Sequence, residues 1–378
     1  MDLFQVYSLL DMEPVKACGA YLWDKNGEEY LDFYGGHAVI SIGHTHPHYV
    51  AKITEQLGRI GFYSNAVVNN LQRELAEKLG ELAGYPDYEL FLCNSGAEAN
   101  ENALKLASFT TGRSRVLAMR GAFHGRTSMA VAATDNPAIQ APVNRTDKVT
   151  FTPLNDIEAM RAELRTGEYA AVIVEGIQGV NGIRVASDEF LHAVREECDA
   201  TGTIMILDEV QSGYGRSGRF FAHQWSGVRA DIVSLAKGIA NGFPVGAIMI
   251  SPAIPAKKGM LGTTFGGSHL ACAAAIAVAD VVKDENLVEN ARTAGEKIVT
   301  AIKGTSGVED IRGRGLMIGV DLAVPQADFR NILMHKHHIM TGYSGKNTLR
   351  LLPPLIIGDR EIERFAEAFR ATAAEMGM

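Results

Sequence analysis

Short apolar runs recur along the middle of the chain, each separated from the next by a polar or helix-patterned stretch. Glu89–Cys93, Ser114–Met119, Ala171–Val174, Thr203–Leu207, Ile232–Leu235 and Gly246–Ile250 read as strands, being short, rich in β-branched residues and bounded by turn formers. Helical periodicity is predicted over Glu98–Thr110, Asp156–Leu164 and Glu189–Thr201. Alternating strands and helices with continuously apolar strands imply an α/β fold, a mainly parallel sheet covered on both faces. Ligands of such sheets gather beyond the carboxyl ends of the strands.

The flanks read differently. Tyr21–Trp23, a turn at Asp24–Gly27 and Tyr30–Phe33 predict a hairpin. The stretch from Pro47 to Leu82 is mostly helical in pattern. Beyond Gly267 come an alanine-rich helix (His269–Asp280), an amphipathic stretch (Asn286–Ile302), a strand (Leu316–Leu322) and a final helix (Glu361–Met376). The expected organisation is a large domain over residues 45–262 and a smaller α+β domain from residues 1–44 and 263–378.

Composition narrows the class. At 378 residues the chain is long enough for two such units. With 47% hydrophobic and 21% charged residues it has an ordinary globular balance. A net charge of -8 argues against a nucleic-acid surface. The four cysteines, Cys18, Cys93, Cys198 and Cys272, are far apart, so a reducing cytoplasm is expected rather than a disulfide framework. The first residues show no leader pattern, and no apolar run reaches the length of a membrane span.

Two charges stand out because each ends an apolar run: Asp208 after Ile204–Leu207, and Lys237 after Ile232–Ala236. A charge at a buried strand end is costly unless paired. An amine facing a carboxylate suits pyridoxal phosphate (PLP) chemistry, in which a lysine bonds an aldehyde and an aspartate keeps a pyridine nitrogen protonated. Upstream, Asn94-Ser95-Gly96-Ala97-Glu98 joins a strand to a helix, where free N–H groups attract phosphate. Ser95 and Glu98 also fit a capping box. Phe123 in Phe123-His124-Gly125-Arg126-Thr127 suits stacking on a flat ring, and Arg126 suits a carboxylate. His44, His46 and His48 have no acidic or cysteine partner at familiar ligand spacing, so no metal is expected.

Taken in order, these segments resemble the class III aminotransferases, PLP enzymes of fold type I. The resemblance rests on Gly19-Ala20-Tyr21-Leu22-Trp23-Asp24, Gly43-His44 with His46-Pro47, Asn94–Glu101, Phe123–Thr127, Asp208–Gly213, Ala236-Lys237-Gly238, Thr264–Gly267 and Arg312–Leu316. It implies a mainly parallel seven-stranded sheet with helices on both faces, and a homodimer whose subunits share each active site. It implies that Lys237 holds the cofactor and carries the proton, and that Asp208 pairs with the ring nitrogen. Gln211 would bond the ring hydroxyl, with Phe123 and Val210 on the two ring faces. Ser95, Gly96 and Ala97 would hold the phosphate with Thr264 of the neighbouring subunit, and Glu175 belongs to the same site.

Among these enzymes the acylornithine aminotransferases of arginine biosynthesis are the nearest match. That implies transfer of the terminal amino group of N-acetyl- or N-succinyl-L-ornithine to 2-oxoglutarate. Arg126 would hold the donor's α-carboxylate, Arg350 that of 2-oxoglutarate or glutamate, and Tyr7 would touch substrate. One departure stands out. The family pattern E-P-x-Q-G-E-G-G reads Glu175-Gly176-Ile177-Gln178-Gly179-Val180-Asn181-Gly182, so Val180 replaces a glutamate that would neutralise Arg350. The rival readings are another ω-aminotransferase using ornithine or 4-aminobutyrate, an aminomutase, a PLP decarboxylase, a metal-dependent hydrolase built on His44, His46 and His48, and a non-enzymatic PLP binder or scaffold.

Overall fold

The computed structural model describes all residues, 1–378. Its centre is a seven-stranded sheet in the spatial order Glu89–Cys93, Gly246–Ile250, Ile232–Leu235, Ile204–Asp208, Tyr169–Glu175, Arg115–Met119 and Val149–Thr152. Only Gly246–Ile250 runs against the others. All seven residues of Tyr169–Glu175 are buried, as are all of Ile232–Leu235 and Gly246–Ile250. Burial on both faces is why these runs are continuously apolar rather than alternating. The carboxyl ends of the parallel strands share one edge, where Asp208 and Glu175 pair in register.

A second seven-stranded sheet joins the two ends of the chain. Pro14–Cys18 lies at one edge beside the hairpin Tyr21–Asp24 and Glu29–Phe33, which is followed by Ile339–Ser344, Thr348–Leu351, Met317–Leu322 and Val308–Arg314. The parallel contact between Glu29–Phe33 and Ile339–Ser344 is the seam, and Phe33 stacks on Phe365 there at 4.3 Å between ring centroids. The Pro47–Leu82 stretch forms two helices, Pro47–Arg59 and Asn70–Ala83. Extended backbone at Ile60 ends the first, and the Asn69 side chain caps the second. The alanine-rich helix runs His269–Asp284 and is buried along most of its length, because small side chains let neighbouring helices approach. No helix is long and apolar enough to cross a membrane.

Candidate active site

A cavity of about 380 Å³ opens at the carboxyl edge of the central sheet. Lys237 and Asp208 both line it, delivered by the ends of adjacent strands. Ser95, Gly96 and Ala97 reach it from the start of the helix Gly96–Thr111, and Phe123 and Arg126 from the loop after Arg115–Met119. Glu175, Val210 and Gln211 complete the predicted set within it.

Asp208 is 4% exposed and firmly held. Its Oδ2 accepts from Asn100 Nδ2 and from His124 Nδ1, each at 2.7 Å, and its Oδ1 accepts the Val210 N–H at 3.0 Å. Hydrogen bonds to a buried charge stabilise by about 1.5–3 kcal/mol each, so the carboxylate has its direction fixed. Asn100 also donates to the His124 carbonyl at 2.7 Å, which locks the two donors to each other. Neither residue was assigned a role from sequence. The only available signal was spacing: Asn100 lies one helical turn beyond Gly96 and so faces the same strand ends.

Lys237 has φ +48°, in the left-handed region that a side-chain-bearing residue rarely adopts. Burial pulls its amine pKa below the ordinary lysine value, Asp208 and Glu175 oppose that pull, and Arg350 adds to it. The direction favours a neutral, nucleophilic amine. Glu175 moves the other way, pushed up from 4.5 to about 7, chiefly by burial and further by Asp208, with His124 opposing. Its two oxygens accept the N–H groups of Phe123 at 3.0 Å and Gly179 at 3.1 Å, tying both loops to the cavity floor.

The capping box forms by half. Ser95 Oγ accepts the Glu98 N–H at 3.2 Å, but Glu98 Oε2 accepts the N–H and the side-chain amide of Asn94, both at 2.9 Å, rather than the Ser95 N–H. Asn94 wins because it offers two donors. The N–H groups of Gly96 and Ala97, without an acceptor in the chain, remain at the cavity. A Cβ on Gly96 would lie 2.7 Å from Val210 Cγ1, so only glycine lets that side chain close over the turn.

Three predicted residues lie outside this cavity. Tyr7 is 80% exposed in the N-terminal segment, and Thr264 is exposed beside Phe265. Arg350 is buried, bonded by Nη1 to the Gly179 carbonyl at 2.9 Å, with its Nε unpartnered and no carboxylate in salt-bridge contact, Glu175 acting on it only at longer range. Val180 is half-exposed, its carbonyl bonded to Ser344 Oγ at 2.5 Å. The histidines after Gly43 each take a separate partner: His44 with Asp32, His46 with Glu285 and His48 with Asp280. They do not converge on a common point, and no group of three potential ligands is suited to a metal ion.

Gly35–Ala38 was also unforeseen. All four residues have φ between +55° and +66°, a left-handed helical turn that includes His37 and Ala38. Each non-glycine residue there costs about 1–2 kcal/mol. Asp32 enforces the turn: its Oδ1 accepts the N–H groups of Tyr34 (3.0 Å) and Gly35 (2.8 Å), and its Oδ2 meets His44 Nε2 at 2.9 Å.

A strand-end lysine, a braced aspartate and a helix start thus meet around one cavity. The family profile Aminotransferase class-III matches residues 6–372. The chain belongs to the class III aminotransferases. It is 41% identical over 360 residues to the acetylornithine aminotransferase of Streptomyces coelicolor, covering 94% of this chain and 89% of that protein. It is 38% identical over 365 residues to that of Methanosarcina mazei, covering 96% and 91%. The ornithine aminotransferase of Toxoplasma gondii superposes with a TM-score of 0.92 at 29% identity, covering 99% of this chain and 93% of that one. A second structure of the Toxoplasma enzyme is described with partial occupancy of PLP at its active site (29% identity, TM-score 0.92).

PLP is the cofactor of this class of aminotransferases, and the residues present fit it. Gln211 Oε1 is a buried acceptor with no protein partner beside the cavity, ready for a hydroxyl. Ser95, Gly96 and Ala97 offer a phosphate-sized cradle at a helix start.

Proposed function

We propose that this enzyme transfers the terminal amino group of N-acetyl-L-ornithine to 2-oxoglutarate, giving N-acetyl-glutamate semialdehyde and glutamate. The observation that carries the reaction type is Lys237 and Asp208 lining one cavity from adjacent strand ends. The donor is supported by full-length similarity to acetylornithine aminotransferases. When bound, PLP supplies an electrophilic aldehyde and a ring that draws electrons from the reacting carbon.

The chain's own residues then divide the work. Lys237 would hold the cofactor through its amine, and that amine, once free, would carry the proton to and from the substrate carbon. Asp208, braced by Asn100 and His124, holds a proton at the ring nitrogen. Phe123 and Val210 would enclose the ring, Gln211 would bond its hydroxyl, and the helix start would hold the phosphate. Glu175 fixes the two loops that shape the floor. Arg126 orients the donor's α-carboxylate and Arg350 that of 2-oxoglutarate.

The active enzyme is proposed to be a homodimer, with Thr264 completing the phosphate site of the opposite subunit. Thr264 adjoins exposed Phe265, whose ring lies 5.3 Å from that of exposed Phe62, and Asn65 bonds the Thr263 and Gly266 carbonyls; Tyr63, Val67 and Val68 of that segment are exposed as well. The helix Pro47–Arg59 has no buried residue, yet carries exposed Val50 and Leu57. A patch of this kind marks an interaction face. Tyr7 is proposed to reach substrate only in that assembly.

Arg350, uncovered by any carboxylate, supports acceptance of the more anionic N-succinyl-L-ornithine as a second donor. The test is a panel of amine donors (N-acetylornithine, N-succinylornithine, ornithine and 4-aminobutyrate) with 2-oxoglutarate, following glutamate. An acylornithine is expected to give the highest kcat/KM; preference for free ornithine or 4-aminobutyrate refutes the assignment.

A further inference from the structure

The left-handed turn at Gly35–Ala38 places a strained, exposed histidine beside the active site. Strained backbone persists only where its surroundings enforce it, and such strain collects at functional sites. Asp32 does the enforcing here. Gly35 is equally constrained, since a Cβ there would lie 2.7 Å from the Leu352 carbonyl. The turn therefore gives His37 one position. Its carbonyl accepts from Gln211 Nε2 at 3.2 Å, which links it directly to the cavity wall.

The His37 ring is oriented by Tyr34, whose hydroxyl meets Nε2 at 2.5 Å with the rings edge to face. Burial raises the Tyr34 pKa, so the phenol keeps its proton. A phenol donating to Nε2 leaves the imidazole proton on Nδ1, which has no partner in the protein. Tyr34 also packs on Gly342, where a Cβ would lie 3.1 Å from the tyrosine ring and 3.3 Å from the Arg350 carbonyl. Gly342 stands opposite Arg350 in the strand pairing. Tyr34 and His37 thus stand beside the strand that carries Arg350, close enough for the guanidinium charge to act on both.

We infer that His37 is a substrate-contacting residue, its Nδ1–H donating to the carboxylate that Arg350 binds, with Tyr34 as its positioning residue. The inference rests on the proposed role of Arg350 as a carboxylate site. One guanidinium with a single protein hydrogen bond is a loose clamp, and a second fixed donor gives the anion a direction.

The test uses the holoenzyme, with glutarate as an unreactive dicarboxylate, in His37→Asn, His37→Gly and Tyr34→Phe. Asparagine and glycine both tolerate the left-handed backbone, so these variants keep the fold. A hydrogen bond to a charged group predicts that both His37 variants bind glutarate roughly tenfold or more weakly by calorimetry. Tyr34→Phe is expected to lose less, and all three to keep the Tm and the cofactor absorbance of the parent. KM for 2-oxoglutarate rises more than kcat falls. Unchanged glutarate affinity in both His37 variants overturns the inference. If the parent enzyme ignores every acylornithine yet binds glutarate through His37, the donor assignment fails and the role of His37 stands.

Discussion

Replacing Glu175 by glutamine separates a buried ionisation from the shape that carries it. Glu175 is 5% exposed and its pKa is moved from 4.5 to about 7 by burial. The folded state therefore keeps this proton at pH values where the unfolded chain has lost it, and stability falls as pH rises across that interval. The contribution is fully present below about pH 4.5 and lost as pH rises through about 7, a change on the order of 3 kcal/mol. Glutamine fits the same space, keeps one carbonyl acceptor and never ionises. It loses one of the two acceptors that hold Phe123 and Gly179, at a cost of about 1 kcal/mol. The variant is thus expected to be about 1 kcal/mol less stable than the parent near pH 4.5 and about 2 kcal/mol more stable near pH 8. Urea unfolding of the cofactor-free protein across that range reads the difference. A parent-minus-variant difference that stays flat with pH would refute the reasoning, because every other titrating group is common to both proteins.

Further expectations follow from the same geometry. Lys237→Ala should fold with a near-parental Tm but lose turnover and the absorbance of the lysine-bound cofactor; near-normal activity would remove Lys237 from its role. Gly96→Ala forces a Cβ to within 2.7 Å of Val210, so cofactor affinity should fall at least several-fold by fluorescence titration while the apoprotein still folds. Val180→Glu would give Arg350 a carboxylate neighbour. The ratio of kcat/KM for N-succinylornithine to that for N-acetylornithine should then drop, and an unchanged ratio contradicts the account of the donor.

The inner strands of the central sheet were legible because they are buried on both faces, and the edge strand Glu89–Cys93 because its apolar run is unbroken although only Leu92 and Cys93 are buried. Glu89–Cys93, Ile232–Leu235 and Gly246–Ile250 have the bounds their apolar runs suggest. Lys237 and Asp208 were legible for the converse reason, as charges closing such runs. Val149–Thr152 and Val308–Arg314 were not, since these two edge strands interleave apolar residues with Thr, Glu, Asp and Arg and carry no continuous apolar signature. Thr348–Leu351 is fully buried but only four residues long, with Arg350 inside it. The brace around Asp208 was hidden because Asn100 and His124 lie 24 residues apart and meet only when the helix crosses the sheet. The turn at Gly35–Ala38 was hidden because Gly35-Gly36-His37-Ala38 shows the glycines but not the handedness that Asp32 imposes.

Borohydride reduction of the PLP-loaded enzyme, followed by peptide mass mapping, tests the central claim most directly. The account predicts a single cofactor-modified lysine, in the peptide containing Lys237. A modification mapped to any other lysine, or none under conditions where the enzyme turns over, would contradict it.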